Sequence, residues 1–258
     1  MKLTLKQALC AATLLALTGS PATAADLSVF STGAPSAVLK VLAMAFARET
    51  GNHIEFTVET PGDLQNKLAA GATPDLVVAP APVIERLEQA GTLKAGSRVD
   101  LARVGIGVVV RGGAPQPDIS TVDGVRAMLL AAKSIVHTSP EGSGFAGKAV
   151  ARMIEQMGIA DAVKPKLTVM QAIDGGVDLV AQGKAEVGLF NISEILPIQG
   201  VALVGPLPAS VQNYIVFAAA LHAGSRSAGP AQTFVKFATN PNMRAQWSAG
   251  GLESMSGS

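Results

Sequence analysis

Residues 138–147 read TSPEGSGFAG and are followed by Lys148. Gly142, Gly144 and Gly147 satisfy G-x-G-x-x-G, the spacing that lets a backbone wrap a pyrophosphate at a helix start. Gly142, Gly147 and Lys148 also satisfy G-x-x-x-x-G-K-[ST] up to its last position. The surroundings argue against both. A dinucleotide fingerprint follows its strand directly and has an acidic residue at the end of the next strand; here Thr138, Ser139, Pro140 and Glu141 intervene, and the next strand-like run ends at Met170-Gln171. A phosphate loop needs a hydroxyl after its lysine to hold magnesium, and this chain has Ala149. Glycines that free the backbone and the hydroxyls of Ser139 and Ser143 remain, which is chemistry for holding one small anion at a helix start.

Hydrolytic and metal chemistry find less support. Glu141 stands two positions before Ser143, so G-x-S-x-G fails. The three histidines, His53, His137 and His222, fall at strand ends and form no H-x-x-x-H or H-E-x-x-H pair. The single cysteine, Cys10, sits in the leader described below, leaving neither disulfides nor thiolate metal sites. No metal, no cofactor and no catalytic residue is therefore expected. Neutral donors recur instead at successive strand ends: Ser31 and Thr32, Thr60, Ser139 with Ser143 and Gly144, and Asn191. Backbone N–H groups at helix starts, helped by hydroxyls and the helix dipole, bind an anion without any cationic side chain. Glu141 is then expected to point to solvent, because an ionised carboxylate repels an anion.

The elements that must position these residues read as α/β. An apolar run at 27–30 is followed by a helix with Val38, Leu39, Leu42 and Phe46 on one face, ended by Gly51. A strand with Ile54, Phe56 and Val58, a helix with Leu64 and Leu68, and a buried strand at 76–79 complete a first βαβαβ unit. A helix over 82–90 and an apolar run at 104–110 lead to the second unit. It has a helix over 122–131, a strand at 134–137, a helix over 145–157, a strand at 167–170, a helix over 174–182 and a strand at 187–190. A last apolar run at 214–221 precedes terminal helices at 231–238 and 243–247.

Lys2 and Lys6, an apolar run at 8–17 and Ala22-Thr23-Ala24 have the layout of a cleaved secretory leader, so residues 1–24 are expected to be removed on export. The run is about half the length a membrane span needs. Taking Lys2 and Lys6 from the 20 basic residues leaves 18 against 19 acidic ones, a formal charge of −1. That balance, with 4% aromatics, argues against nucleic acid as a partner.

The blocks VFSTGAPSAVLKVLAMAFARETG, ETPGDLQNKLAAGATPDLVVA, VGLFNISE and AQTFVKFATNPNMRAQW resemble the periplasmic molybdate-binding proteins and their wider family of type II solute-binding proteins. The likeness spans essentially the mature chain. It implies a two-lobed type II periplasmic binding protein fold, with residues 26–105 and 212–258 in lobe 1, residues 106–211 in lobe 2, and two crossing strands as hinge. It also implies a periplasmic, monomeric protein that traps a small anion between its lobes and hands it to an ABC transporter permease. On the family's pattern, the oxyanion-binding serine after the first strand falls on Ala34, that before the second helix on Pro61, and the tyrosine after the strand at 187–190 on Asn191. Pro61 has neither hydroxyl nor N–H to offer. The ligand is thus open between a molybdate-like oxyanion and a small organic acid, for which Asn191 offers both a donor and an acceptor. The rival of another class is a secreted enzyme using the same cleft.

Overall fold

The computed structural model of the protein describes residues 26–141, 145–170 and 176–255. The expected leader, Ser143 and Gly144 lie outside the described residues. The chain opens with β1 (Asp26–Thr32), α1 (Gly33–Thr50), β2 (His53–Glu59), α2 (Pro61–Ala69), β3 (Leu76–Pro80), α3 (Ala81–Gln89) and β4 (Val99–Val104). A second run holds β5 (Ile106–Arg111), α4 (Val122–Ala131), β6 (Ile135–Thr138), α5 (Phe145–Gln156), α6 (Ala160–Val163), β7 (Leu167–Met170), α7 (Gly176–Ala181), β8 (Val187–Asn191), α8 (Ile192–Ile195) and β9 (Val201–Pro206). The chain closes with β10 (Ile215–Leu221), α9 (Ala228–Ala238), α10 (Arg244–Ala249) and β11 (Glu253–Ser254).

Two sheets result, ordered β11-β4-β10-β3-β1-β2 and β7-β6-β8-β5-β9. Residue alternation explains how the first sheet is covered on both sides. Leu76, Val78, Ala219 and Leu221 join α1, α9 and α10 in one core around Phe46, Phe234 and Trp247. Their neighbours Val77, Ala79, Ala218 and Ala220 join α2 and α3 in another around Leu64 and Ile84. The second sheet is covered likewise, by α4 and α5 on one face and α7 on the other. Local signals set the helix ends: α1 stops at Gly51 with a left-handed φ of 74°, and α2 starts with Thr60 as its cap and Pro61 in its first turn.

Strand register dictates how the sheets face one another. In the first sheet β1, β2 and β3 run parallel, while β10 runs antiparallel to β3 with Phe217 opposite Pro80. β4 ends beside the start of β10, with Val104 opposite Ile215. In the second sheet β6, β7 and β8 run parallel, β5 starts opposite Asn191 at the end of β8, and β9 ends opposite Gly107 of β5. The chain therefore passes twice from one carboxyl edge to the other, through Gly105 and through residues 207–214. The strand-end loops of both lobes face the same gap, where open α/β sheets bind their ligands. The apolar run at 104–110 is thus two strands of two sheets, broken at Gly105.

Candidate functional site

At the end of β1, Ser31 and Thr32 are 0% and 3% exposed. Ser31 Oγ donates to the Thr32 carbonyl at 3.0 Å. Thr32 occupies the cap position of α1 in an extended conformation, but its side chain makes no capping bond, and Thr32 Oγ1 is buried without a hydrogen-bond partner among the described residues. At the end of β6, His137, Thr138 and Ser139 are all buried. Thr138 Oγ1 is likewise buried without a partner among the described residues. β1 lies between β3 and β2, and β6 between β8 and β7, so the two threonines close the matching third strand out from the crossings in their respective sheets.

Ser139 extends this edge. Its N–H donates to the Met170 carbonyl at 2.7 Å, and its Oγ accepts from the N–H of Glu141 at 3.1 Å. Glu141 itself is exposed, as an anion site requires. Directly beyond, α5 runs hard against the strand end: a Cβ on Gly147 would lie 2.3 Å from the Thr138 carbonyl oxygen and 2.5 Å from that of Ser139. The last glycine of the nucleotide-like motif is therefore explained by helix-to-strand approach.

From β8, Asn191 is 7% exposed and leads straight into α8. Asn191 Nδ2 donates to Glu194 Oε1 at 2.7 Å, which leaves Oδ1 facing inward, buried and without a partner. Ser193 Oγ is buried in the same state. A buried polar group left unsatisfied costs about 1–3 kcal/mol. Three of them at strand ends, Thr32, Thr138 and Asn191, and a fourth in the first turn of α8, Ser193, suit a site that a polar molecule completes.

Thr60 stands apart. It is exposed and follows the edge strand β2; its Oγ1 accepts from the N–H of Asp63 at 3.2 Å and donates to Asp63 Oδ2 at 2.7 Å, so its hydroxyl serves as the α2 cap. Ser143 and Gly144, the remaining candidates, lie outside the described residues. Thr138 and Ser193 were not singled out by residue type, although both stand in the strand-end loops that were.

Two groupings bear on catalysis. Asp75, Ser225 and His222 lie close together, but Ser225 Oγ donates to Asp75 Oδ1 at 2.9 Å, and His222 Nδ1 accepts from the N–H of Gly224 at 3.0 Å. Asp75 also accepts from the N–H groups of Ser28 and Ser227, each at 3.0 Å. Burial pushes its pKa up, yet these bonds together hold it below the usual carboxylate value. The cluster precedes β3, at the opposite edge from the strand-end loops, and acts as a strut. His137 Nδ1 lies 2.7 Å from the Thr138 carbonyl, so Nδ1 carries the proton, and burial keeps the ring's pKa below the ordinary histidine value despite that bond. Among the described residues no group of three or more His, Cys, Asp or Glu is placed to hold a metal, and no helix is long and apolar enough to cross a membrane.

The two lobes also touch. Ile192 at the start of α8 packs against the core beneath α1, and Phe145 at the start of α5 packs against the core beneath α2 and α3. Gly251 comes so near that an added Cβ would lie 2.9 Å from the Ile192 side chain and from the Ser193 backbone nitrogen.

Two α/β lobes and a double crossing give the two-lobed fold of periplasmic binding proteins. Residues 27–253 match the bacterial extracellular solute-binding protein family, and the chain belongs to it. It is 26% identical over 232 residues to an aconitate isomerase from Pseudomonas sp, covering 86% of this chain and 87% of that protein. It is 26% identical over 175 residues to the molybdate-binding protein ModA of Azotobacter vinelandii, covering 67% and 68%. The substrate-binding domain of a putative molybdenum ABC transporter from Clostridium difficile superposes with a TM-score of 0.76 at 16% identity, over 89% of this chain and 99% of that one.

Proposed function

We propose that the protein is an exported, periplasmic solute-binding protein that holds a small anion between lobes formed by residues 26–105 with 212–258 and by residues 106–211. It would deliver that anion to the permease of an ABC transporter. The observation that supports this reading is that the ends of β1, β6 and β8 and the start of α8 each carry a buried polar atom without a partner among the described residues. Thr32 and Thr138 supply hydroxyls that would donate charge-assisted hydrogen bonds to an anion. Ser31, Ser139, Ser143 and the N–H groups near Gly144 are proposed to complete the shell, with Thr60 at its rim. Binding favours the closed arrangement, which the permease then recognises.

Within this reading, Asn191 favours an organic acid over molybdate. Its Nδ2 is committed to Glu194, so the inward Oδ1 is an acceptor that asks for a donor, which a hydroxyl on an organic acid would supply and a fully deprotonated oxyanion would not. Ala34 and Pro61, where the molybdate-binding pattern has serines, agree with that. The 26% identical relative is named for aconitate, an organic acid, which supports that ligand class although aconitate itself has no hydroxyl for Oδ1.

The test is a thermal-shift and calorimetry panel of molybdate, tungstate, sulfate, phosphate and small carboxylates. A ligand at a hundredfold excess over its Kd adds about 2.7 kcal/mol, which moves the Tm of a chain this long by roughly 5–10 °C. A carboxylate is expected to give that shift, and a panel with no shift from any anion rejects the reading. The same relative motivates a second reading, an isomerase acting on such an acid. NMR of aconitate incubated with the protein separates the two, since a binding protein leaves the spectrum unchanged.

A further inference from the structure

A cavity of about 400 Å3 lies between the lobes, lined by Ala81 at the start of α3, by Phe145, Lys148 and Arg152 of α5, and by Asn213 and Tyr214 of the second crossing. We propose that it is a second anionic subsite, taking one carboxylate of a di- or tricarboxylic acid whose other carboxylate is held by the hydroxyls at the strand ends. The proposal rests on the anion-binding reading above and narrows its ligand class.

Charge is the first argument. Lys148 and Arg152 stand four residues apart on α5 and so project from the same face. Neither is in an ion pair: the pairs among the described residues are Lys67 with Glu59, Arg98 with Glu85 and Asp100, and Arg103 with Glu253. Like charges at this spacing repel. A carboxylate between them turns that repulsion into two charge-assisted contacts, and the planar guanidinium of Arg152 suits both of its oxygens. The opposite wall adds the positive end of α3, whose first turn has neither a capping side-chain bond nor an acidic residue.

Position is the second. Gly147, the residue before Lys148, packs against the Thr138 and Ser139 carbonyls, so Lys148 follows directly on the point where α5 meets the end of β6. Phe145 lines the cavity and packs on the core of the first lobe. The walls come from both lobes and a crossing, so an anion held there draws the lobes together. Size is the third. At about 30 Å3 per heavy atom, the share of one water in the liquid, a tetrahedral oxyanion needs on the order of 150 Å3. The cavity of about 400 Å3 exceeds that more than twofold and so has room for a longer molecule.

Titration calorimetry of the full mature chain tests this, using acetate, sulfate, molybdate, succinate and propane-1,2,3-tricarboxylate at fixed ionic strength. Succinate or the tricarboxylate is expected to bind at least tenfold more tightly than acetate. Lys148→Gln and Arg152→Gln are each expected to weaken that binding by about tenfold and to leave sulfate or molybdate within twofold. Circular dichroism melts check that both variants fold; both positions are exposed. Unchanged polycarboxylate affinity in both variants overturns the proposal, as does an equal loss for every anion, which marks a general field effect. If simple oxyanions bind and polycarboxylates do not, the subsite fails while the anion-binding reading stands; if no anion binds the unaltered protein, that reading fails first.

Discussion

The side-chain amide of Gln212 pairs with both ends of one backbone unit: its Oε1 accepts the N–H of Ile106 at 2.8 Å, and its Nε2 donates to the Ile106 carbonyl at 2.9 Å. Gln212 belongs to the second crossing and Ile106 starts the strand that follows the first, so one side chain fastens the two connections to each other. The amide lies against Gly105, where a Cβ would come within 2.9 Å of Nε2 and 3.2 Å of the Tyr214 ring. Arg103 stacks on the other part of this joint, 4.0 Å over the Tyr214 ring, and pairs with Glu253.

Removing that fastening has a calculable cost. Gln212→Ala leaves the Ile106 N–H unsatisfied, while the Ile106 carbonyl keeps the N–H of Leu207 at 3.0 Å. A loss of about 1–3 kcal/mol in urea unfolding is expected. Gly105→Ala should cost a similar amount by displacing the amide, and less in the Gln212→Ala background, where the space is open. Additive losses in this double-variant cycle contradict the account.

Thr32→Val and Thr138→Val should separate stability from binding. Each replaces an unpartnered buried hydroxyl with a methyl of similar size, so the ligand-free melting temperature is expected to stay the same or rise. Affinity for the anion should fall about tenfold per site, because a hydrogen bond to a charged group is worth about 1.5–3 kcal/mol. Equal destabilisation without any change in affinity would assign both hydroxyls to packing.

The buried imidazole of His137 gives stability a pH dependence of known sign. Its folded pKa is depressed by burial, so below the ordinary value of 6.5 the unfolded chain takes up a proton that the folded chain refuses. Stability is full above that pH and declines as pH falls toward the depressed value, by at most about 1.4 kcal/mol per pH unit. His222, also depressed by burial against the opposing charge of Asp75, contributes in the same direction. His137→Asn keeps a donor for the Thr138 carbonyl and removes the titration. Its urea midpoint should therefore change less than that of the parent between pH 7.5 and pH 5.5.

The α/β alternation and most strands were legible because they rest on local periodicity, and the core faces of α1 and α2 follow directly from it; on the edge strand β2 only Ile54 is buried, and Val58 is exposed. What local pattern cannot report is a change of partner. The apolar run at 104–110 conceals the step from one sheet to the other at Gly105, and the half-buried edge strand β9 went unread before its Gly205-Pro206 ending. Hydroxyls show the same limit. Thr32 and Thr60 look alike in sequence, each preceding a helix, yet Thr60 spends its oxygen on the α2 cap while that of Thr32 has no partner. Lys148 carried a signal only as part of a nucleotide motif, and Arg152 none, since exposed helix cations read as a solvated face until the opposite wall is known.

The motif itself allows a paired test. Gly147→Ala places a Cβ against two backbone carbonyl oxygens that no side-chain rotation can relieve, so α5 must shift away from the end of β6. A loss of about 1–3 kcal/mol is expected, as for other overpacked sites. Anion affinity should weaken with it, because the displaced helix abuts the strand end that carries Thr138 and Ser139 and bears Lys148 and Arg152 of the proposed subsite. Ala149→Ser does the opposite in sequence terms: it completes G-x-x-x-x-G-K-S at a half-buried position that packs on the second core. The loop that precedes it still leaves its strand through Pro140 and ends in a helix pressed onto that strand, which is the wrong approach for a triphosphate. ATP with magnesium should therefore give no thermal shift with this variant, while the parent's anion ligand still does. An ATP-dependent shift would restore the nucleotide reading that Ala149 argues against.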